Sequence, residues 1–332
     1  RLSIRSSVLE FLPHFRLETL VFAGLIGVAL YLVAVADYGD NTLAYIALYG
    51  LATYRLVPAL NAVFVGLSEI QHDSDAVNAV SEAIAAERPV DAPRNSDAAE
   101  APIRLQNVTY RHPQAEEDQL HDVGLEIRPG SSVCLFGDSG AGKSTLLNIL
   151  AGLTEPRRGR FLLGEKALEN PDRRAWRGNV GFCPQHVYLF ADTIANNIAF
   201  GVDGGKVDRQ RVEEVGRLAL LDKFVQEATA AEYDSPVGEG GHGLSGGQRQ
   251  RIGIARALYK DASILILDES LAGLDAATRS AILDNIFGLR GKTLILSTHD
   301  TDVAKRCETV FFLDSGRLVA SGRFEDVVSA GL

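Results

Sequence analysis

The chain carries two hydrophobic patterns, one before residue 90 and one after residue 102. From Leu20 to Ala36 seventeen residues run without a charge. With Leu17, Glu18 and Thr19 the stretch reaches twenty residues, about 30 Å as a helix and enough to cross a bilayer core. Asp37 to Asn41 (DYGDN) is a turn signal. A second apolar run spans Thr42 to Leu67, broken only by Arg55 and Pro58. Either run alone would also suit a buried core helix. Two of them joined by a tight polar turn predict a transmembrane hairpin. Arg55 is costly at membrane depth, by about 2.5–3.5 kcal/mol. It is therefore expected either to face a water-filled path or a partner, where it could touch an anionic substrate, or to snorkel to an interface. Pro58 is a kink position. Ser68 to Glu87 is polar but helix-friendly and is expected to carry the helix out of the membrane. Glu87 to Pro102 holds three prolines among small polar residues and reads as a linker.

From Ile103 onward short β-rich runs alternate with helical patterns, which predicts an α/β domain with a mostly parallel core sheet. Ser131 to Phe136 (SSVCLF) is a buried strand. It leads into Gly137, Asp138, Ser139, Gly140, Ala141, Gly142, Lys143, Ser144 and Thr145, and then into an apolar helix ending at Gly152. This is the phosphate-binding loop pattern G-x-x-x-x-G-K-[ST], with the strand before and the helix after that it requires. The glycines let backbone N–H groups wrap phosphates, and the helix N-terminus adds positive potential. Lys143 is placed to reach the β- and γ-phosphates and Ser144 to ligate Mg²⁺. A second buried strand, Ser263 to Leu267, ends in Asp268 and Glu269. An acid at that strand end can hold Mg²⁺ through water, and a second beside it can polarise the attacking water.

Composition narrows the classes. Hydrophobic residues make up 46% and charged residues 23%, which excludes wholesale disorder. A net charge of −10 argues against a nucleic-acid partner. Cys134, Cys183 and Cys307 are far apart and read as reduced thiols rather than bridges or zinc ligands. The chain has no methionine and begins with Arg1; we therefore expect it to be the C-terminal piece of a longer protein.

Between the two phosphate-site motifs lie Leu244, Ser245, Gly246, Gly247 and Gln248, which open a helix running through Leu258. In this order the motifs resemble an ATP-binding cassette (ABC) ATPase, whose signature is LSGGQ. A hydroxyl and backbone amides at a helix start again make an anion site; in the family it grips the γ-phosphate of ATP bound to the other subunit. The resemblance implies further roles. Tyr110 matches the aromatic residue that stacks on adenine. Gln185 matches the glutamine that contacts Mg²⁺ and links to the membrane domain. Asp275 matches the aspartate of the loop that crosses the dimer, and is also a natural helix N-cap. His299 matches the histidine that contacts the γ-phosphate. Gly273 stands where the family often has Ser. Ser235 to Gly241 (SPVGEGG) looks like the exporter loop TEVGERG, with Pro236 and Gly240 replacing its first Glu and its Arg, and Glu239 retained.

The resemblance covers the whole chain and implies a two-part architecture. Residues 1–88 look like the last two transmembrane helices of an exporter and their cytoplasmic extension, 89–102 is the linker, and 103–332 match a complete α/β P-loop nucleotide-binding domain with a helical subdomain. A half-transporter of this type has six such helices. Tyr54 to Asn61 also resembles the final helix of lipid-linked oligosaccharide flippases. The implied partners are ATP and Mg²⁺, a second copy of the chain or a paralogous half-transporter, and a bilayer. The resemblance places the chain in the inner membrane with its nucleotide-binding domain in the cytoplasm, exporting an amphipathic or lipid-linked substrate. Two alternatives remain at this level: a soluble ABC ATPase acting on a macromolecule, and a truncated remnant that does not transport.

Overall fold

The computed structural model describes residues 42–85 and 101–329, apart from 114, 170, 171, 203, 229 and 230, together with 23, 24, 26–28, 30, 31 and 34. The chain divides into two units, Arg1–Arg88 and Pro89–Leu332.

In the first unit the described residues between 23 and 34 are helical. The rest of the Leu20–Ala36 run, and the linker residues 86–100, lie outside the described residues. Helix α1, Thr42–Ala85, runs through Pro58 unbroken. Pro58 has no N–H for the carbonyl of Tyr54. Within α1, Ala47–Leu67 has a mean hydropathy of 1.3 and none of it is buried. Among the described residues this is the one helix long and apolar enough to cross a membrane.

The second unit is an α/β domain. Its elements in order are β1 (Ile103–Tyr110), β2 (Leu120–Ile127), β3 (Ser132–Phe136), α2 (Lys143–Leu150), β4 (Arg158–Leu163), β5 (Lys166–Ala167), α3 (Asp172–Gly178), β6 (Val180–Cys183) and β7 (Asp192–Thr193). Then come α4 (Ile194–Ile198), α5 (Arg209–Leu218), α6 (Asp222–Ala228), β8 (Pro236–Val237), α7 (Gly246–Tyr259), β9 (Ile264–Asp268), α8 (Ala276–Phe287) and β10 (Thr293–Thr298). The chain continues through α9 (Thr301–Ala304), β11 (Thr309–Asp314), β12 (Arg317–Gly322) and α10 (Phe324–Ser329).

The central sheet has the order β12-β11-β3-β10-β9-β6. It is parallel from β11 to β6, with β12 antiparallel at one edge. An antiparallel sheet, β2-β1-β4-β5, and a two-stranded ribbon, β7-β8, complete the strands. The parallel strands are apolar at nearly every position because both faces are covered. Side chains alternate between two cores, as a pleat of period two requires. Cys134 and Phe136 of β3, Leu265 and Leu267 of β9, and Leu294 and Leu296 of β10 enter one core, with residues from α4, α5, α7 and α8. Val133 and Leu135, Ile264 and Ile266, and Ile295 enter the other, with α2, β1 and β2. Trp176 of α3 is fully buried in that second core and donates its indole N–H to the carbonyl of Leu150, at the end of α2, at 2.8 Å.

Candidate active site

Lys143, Ser144, Gln185, Asp268, Glu269 and His299 gather at the carboxyl ends of β3, β6, β9 and β10, where ligands bind in open parallel sheets. Gly137 follows β3 with φ +154°, and a Cβ there would lie 2.2 Å from the carbonyl oxygen of Leu313. Only glycine fits, so the loop turns sharply off the strand. Gly142 caps α2 with φ +98°. A Cβ there would meet Leu120 at 2.9 Å and the Gln119 carbonyl at 3.1 Å.

Lys143 is 4% exposed. Its Nζ donates to the carbonyls of Gly137 (2.8 Å) and Asp138 (2.9 Å), and it pairs with Glu269 Oε1 at 3.2 Å. Its three protons therefore have three acceptors, two carbonyls of the loop and the Glu269 carboxylate. Glu269 is a meeting point: Gln185 Nε2 donates to its Oε2 at 3.1 Å, and His299 Nδ1 stands 3.9 Å from Oε1. Glu269 itself sits at φ +44°, sparsely populated for a non-glycine residue.

Asp268 is the last residue of β9, immediately before Glu269. Ser144 Oγ donates to its Oδ1 at 3.1 Å, and Ser297 Oγ donates to the same oxygen at 2.5 Å. Among the described residues no group of three or more His, Cys, Asp and Glu could hold a metal ion. The hydroxyl of Ser144, the carboxylate of Asp268 and the amide oxygen of Gln185 are instead hard oxygen donors. That set suits a magnesium-type cation that takes one or two carboxylates and fills its shell with substrate phosphates and water. Ser270 Oγ donates to the carbonyls of Cys183 and Asp268, tying β6 to β9. Burial pushes the Cys183 thiol up to about 12, so it stays protonated.

Two expectations meet different surroundings. Tyr110 is 9% exposed and packs in the core beneath the sheet, so its ring face is covered rather than open to a base. The exposed ring at this end of β1 is His112, edge-on to Tyr110 at 5.9 Å. The backbone N–H of His112 donates to Gln119 Oε1, and the Gln119 carbonyl packs on Gly142, so His112 stands beside the phosphate loop. The Leu244–Gln248 segment forms a separate cluster. Ser245 caps α7 through a reciprocal capping box: its Oγ accepts from the Gln248 N–H at 3.2 Å, and Gln248 Oε1 accepts from the Ser245 N–H at 2.7 Å. Gly247 packs against Gly273 and Leu274, while Gln250 Oε1 accepts from the Gly273 N–H at 3.2 Å. Asp275 caps α8, and hydrogen bonds from Thr278 hold its carboxyl below the usual carboxylate range. On the exporter-type loop, Tyr188 donates to Glu239, and that contact keeps the phenol protonated beyond its ordinary range.

Residues 120–272 match the family described as ABC transporter. That stretch is an ABC transporter domain, and the chain is similar to ABC transporters of exporter type. An ATP-dependent lipid A-core flippase of Alkalilimnicola ehrlichii is 36% identical over 285 residues, 83% of this chain and 47% of that protein. One from Pseudomonas fluorescens is 34% identical over 304 residues, 90% of this chain and 49% of that protein. The glutathione/L-cysteine transport system ATP-binding/permease protein CydC of Haemophilus influenzae is 30% identical over 314 residues, 92% of this chain and 54% of that protein. A solved bacterial Atm1-family ABC exporter with ATP bound superposes with a TM-score of 0.69 at 28% identity, covering 99% of this chain and 58% of that one. The chain thus spans about half the length of the curated relatives it matches. No sequence signal singled out Ser297 or His112.

Proposed function

We propose that this chain is the ATP-binding and ATP-hydrolysing part of an exporter or flippase, driving an amphipathic or lipid-linked substrate across a membrane. The observation that carries the reading is the convergence of Lys143, Gln185 and His299 on the Glu269 carboxylate, next to the Ser144–Asp268 pair. ATP enters by displacing its phosphate oxygens into the place of the Gly137 and Asp138 carbonyls around Lys143. Loop amides from Gly137 to Thr145 bind the phosphates, and the adenine rests against His112 rather than the covered Tyr110. Ser144 and Asp268, with Gln185, would hold Mg²⁺, which supplies neutralisation of charge on the phosphates when bound. Once Lys143 turns to the phosphates, Glu269 is free to orient water and take its proton, with His299 on the γ-phosphate.

A second copy or a paralogous half-transporter completes the site. The amides of Gly246 and Gly247 are the first two of α7, which no intrahelical carbonyl can satisfy, and Leu244–Gln248 would present them to ATP on the partner with Asp275 alongside. Residues 1–88 form the membrane part, 89–102 the linker and 103–332 the nucleotide-binding domain, with the domain cytoplasmic and the helices in the inner membrane. The bare apolar surface of Ala47–Leu67 supports the membrane reading, and the flippase names of several relatives support the substrate class.

Glu269→Gln tests the reading. It should bind ATP at least as well as the parent and lose turnover by about 10²–10⁴-fold, the usual worth of a positioned general base. Phosphate release at near-normal rate in that variant would sink the assignment.

A further inference from the structure

We infer that Ser297 is a positioning residue that holds both acidic residues of the site at once; this rests on the ATPase reading above. Strand β10 lies between β3 and β9, and its register sets Ser297 opposite Leu135 on one side and Asp268 on the other. The pleat then fixes the faces. Ile295 and Ser297 share the face of β10 that Ile266 and Asp268 share on β9, the face covered by α2. Ser297, 4% exposed, therefore points at Asp268, and its Oγ donates to Asp268 Oδ1 at 2.5 Å. The same Oγ accepts the backbone N–H of Glu269 at 3.0 Å. The Ser297 carbonyl receives that N–H as well, at 3.2 Å.

One hydroxyl thus performs two tasks. As donor it pins one oxygen of Asp268 and fixes the rotamer of the carboxylate. Ser144 would give up that oxygen on ligating a cation, while Ser297 would keep its bond and leave the other carboxylate oxygen of Asp268 available to the cation site. As acceptor it holds the Glu269 backbone at φ +44°, the conformation that sends the Glu269 side chain toward Lys143, Gln185 and His299. A polar residue in the buried run LILST, where an aliphatic one would pack equally well, carries this role at the cost of an apolar contact.

The test is the gain in nucleotide affinity that Mg²⁺ confers. The full chain in detergent is titrated with mant-ADP, in EDTA and in excess Mg²⁺. Removing an outer-shell partner of a metal ligand costs about 10–100-fold. Ser297→Ala should therefore keep the affinity in EDTA and shrink the Mg²⁺ gain at least about tenfold, while Ser297→Thr, which keeps the hydroxyl, restores it. If Ser297→Ala loses binding in EDTA through misfolding, Ser297→Cys, similar in size and a poor donor, should show the same shrunken gain. An undiminished gain in Ser297→Ala or Ser297→Cys overturns the inference, and so does an equal loss in Ser297→Thr, which would mark a packing effect. Failure of the parent chain to bind mant-ADP at all would overturn the ATPase reading beneath it.

Discussion

At the scale of single residues, the site rests on which way a side chain faces. Tyr110 and His112 lie two apart, on the same strand end, and have opposite fates. Alternation counted from Ile103 and Leu105 would send Tyr110 to the outer face. A bulge intervenes: the β1–β2 register shifts between Leu105 and Val108, and Asn107 sits at φ +50°. The extra residue flips the parity, so Val108 and Tyr110 go inward. Neither the bulge nor its consequence is readable from the string NVTYRH. The expected outcome is that His112→Ala weakens ATP binding about 5- to 150-fold, the equivalent of about 1–3 kcal/mol per stacked base. Tyr110→Phe should leave it unchanged. Equilibrium binding of a fluorescent ATP analogue checks this, and parent-like affinity in His112→Ala would take the adenine off His112.

At the scale of elements, the turn from β3 into α2 determines whether the phosphate loop exists. Gly137→Ala would drive a methyl group to 2.2 Å from a backbone oxygen on β11, which cannot move without opening the sheet. We expect this variant to lose nucleotide binding and several kcal/mol of stability, since overpacking alone costs about 1–3 kcal/mol and the backbone conformation adds more. Thermal unfolding checks it; a parent-like midpoint would mean the loop leaves the strand differently. Elements of this kind were legible beforehand. The strand–loop–helix around Lys143, the acid pair at the end of β9 and the helix opened by Ser245 all announce themselves through local chemistry. Strand order was not legible, because it depends on pairing between strands distant in the chain, as β3 with β10 and β11. Ser297 shows the gap most clearly: its neighbours along the chain are apolar, and its partner Asp268 is 29 residues away.

At the scale of the whole chain, the first unit raises a different question from the second. Ala47–Leu67 is a 21-residue helical stretch of mean hydropathy 1.3 with none of its residues buried, long and apolar enough to cross a membrane. The chain should therefore partition into liposomes and resist alkaline carbonate extraction. Replacing Arg55, the one charge in Ala47–Leu67, with Leu should favour insertion of that segment by about 3 kcal/mol in a translocon assay. Release by carbonate would contradict the membrane reading. The second unit carries a further consequence of its architecture. Each strand of the parallel sheet sends alternate side chains into the core of the phosphate loop and into the core of the signature helix. The two cores thus share one wall, and melting either strips that wall from the other. Because the phosphate loop and the helix opened by Ser245 rest on opposite sides of that one wall, we expect them to unfold in a single transition.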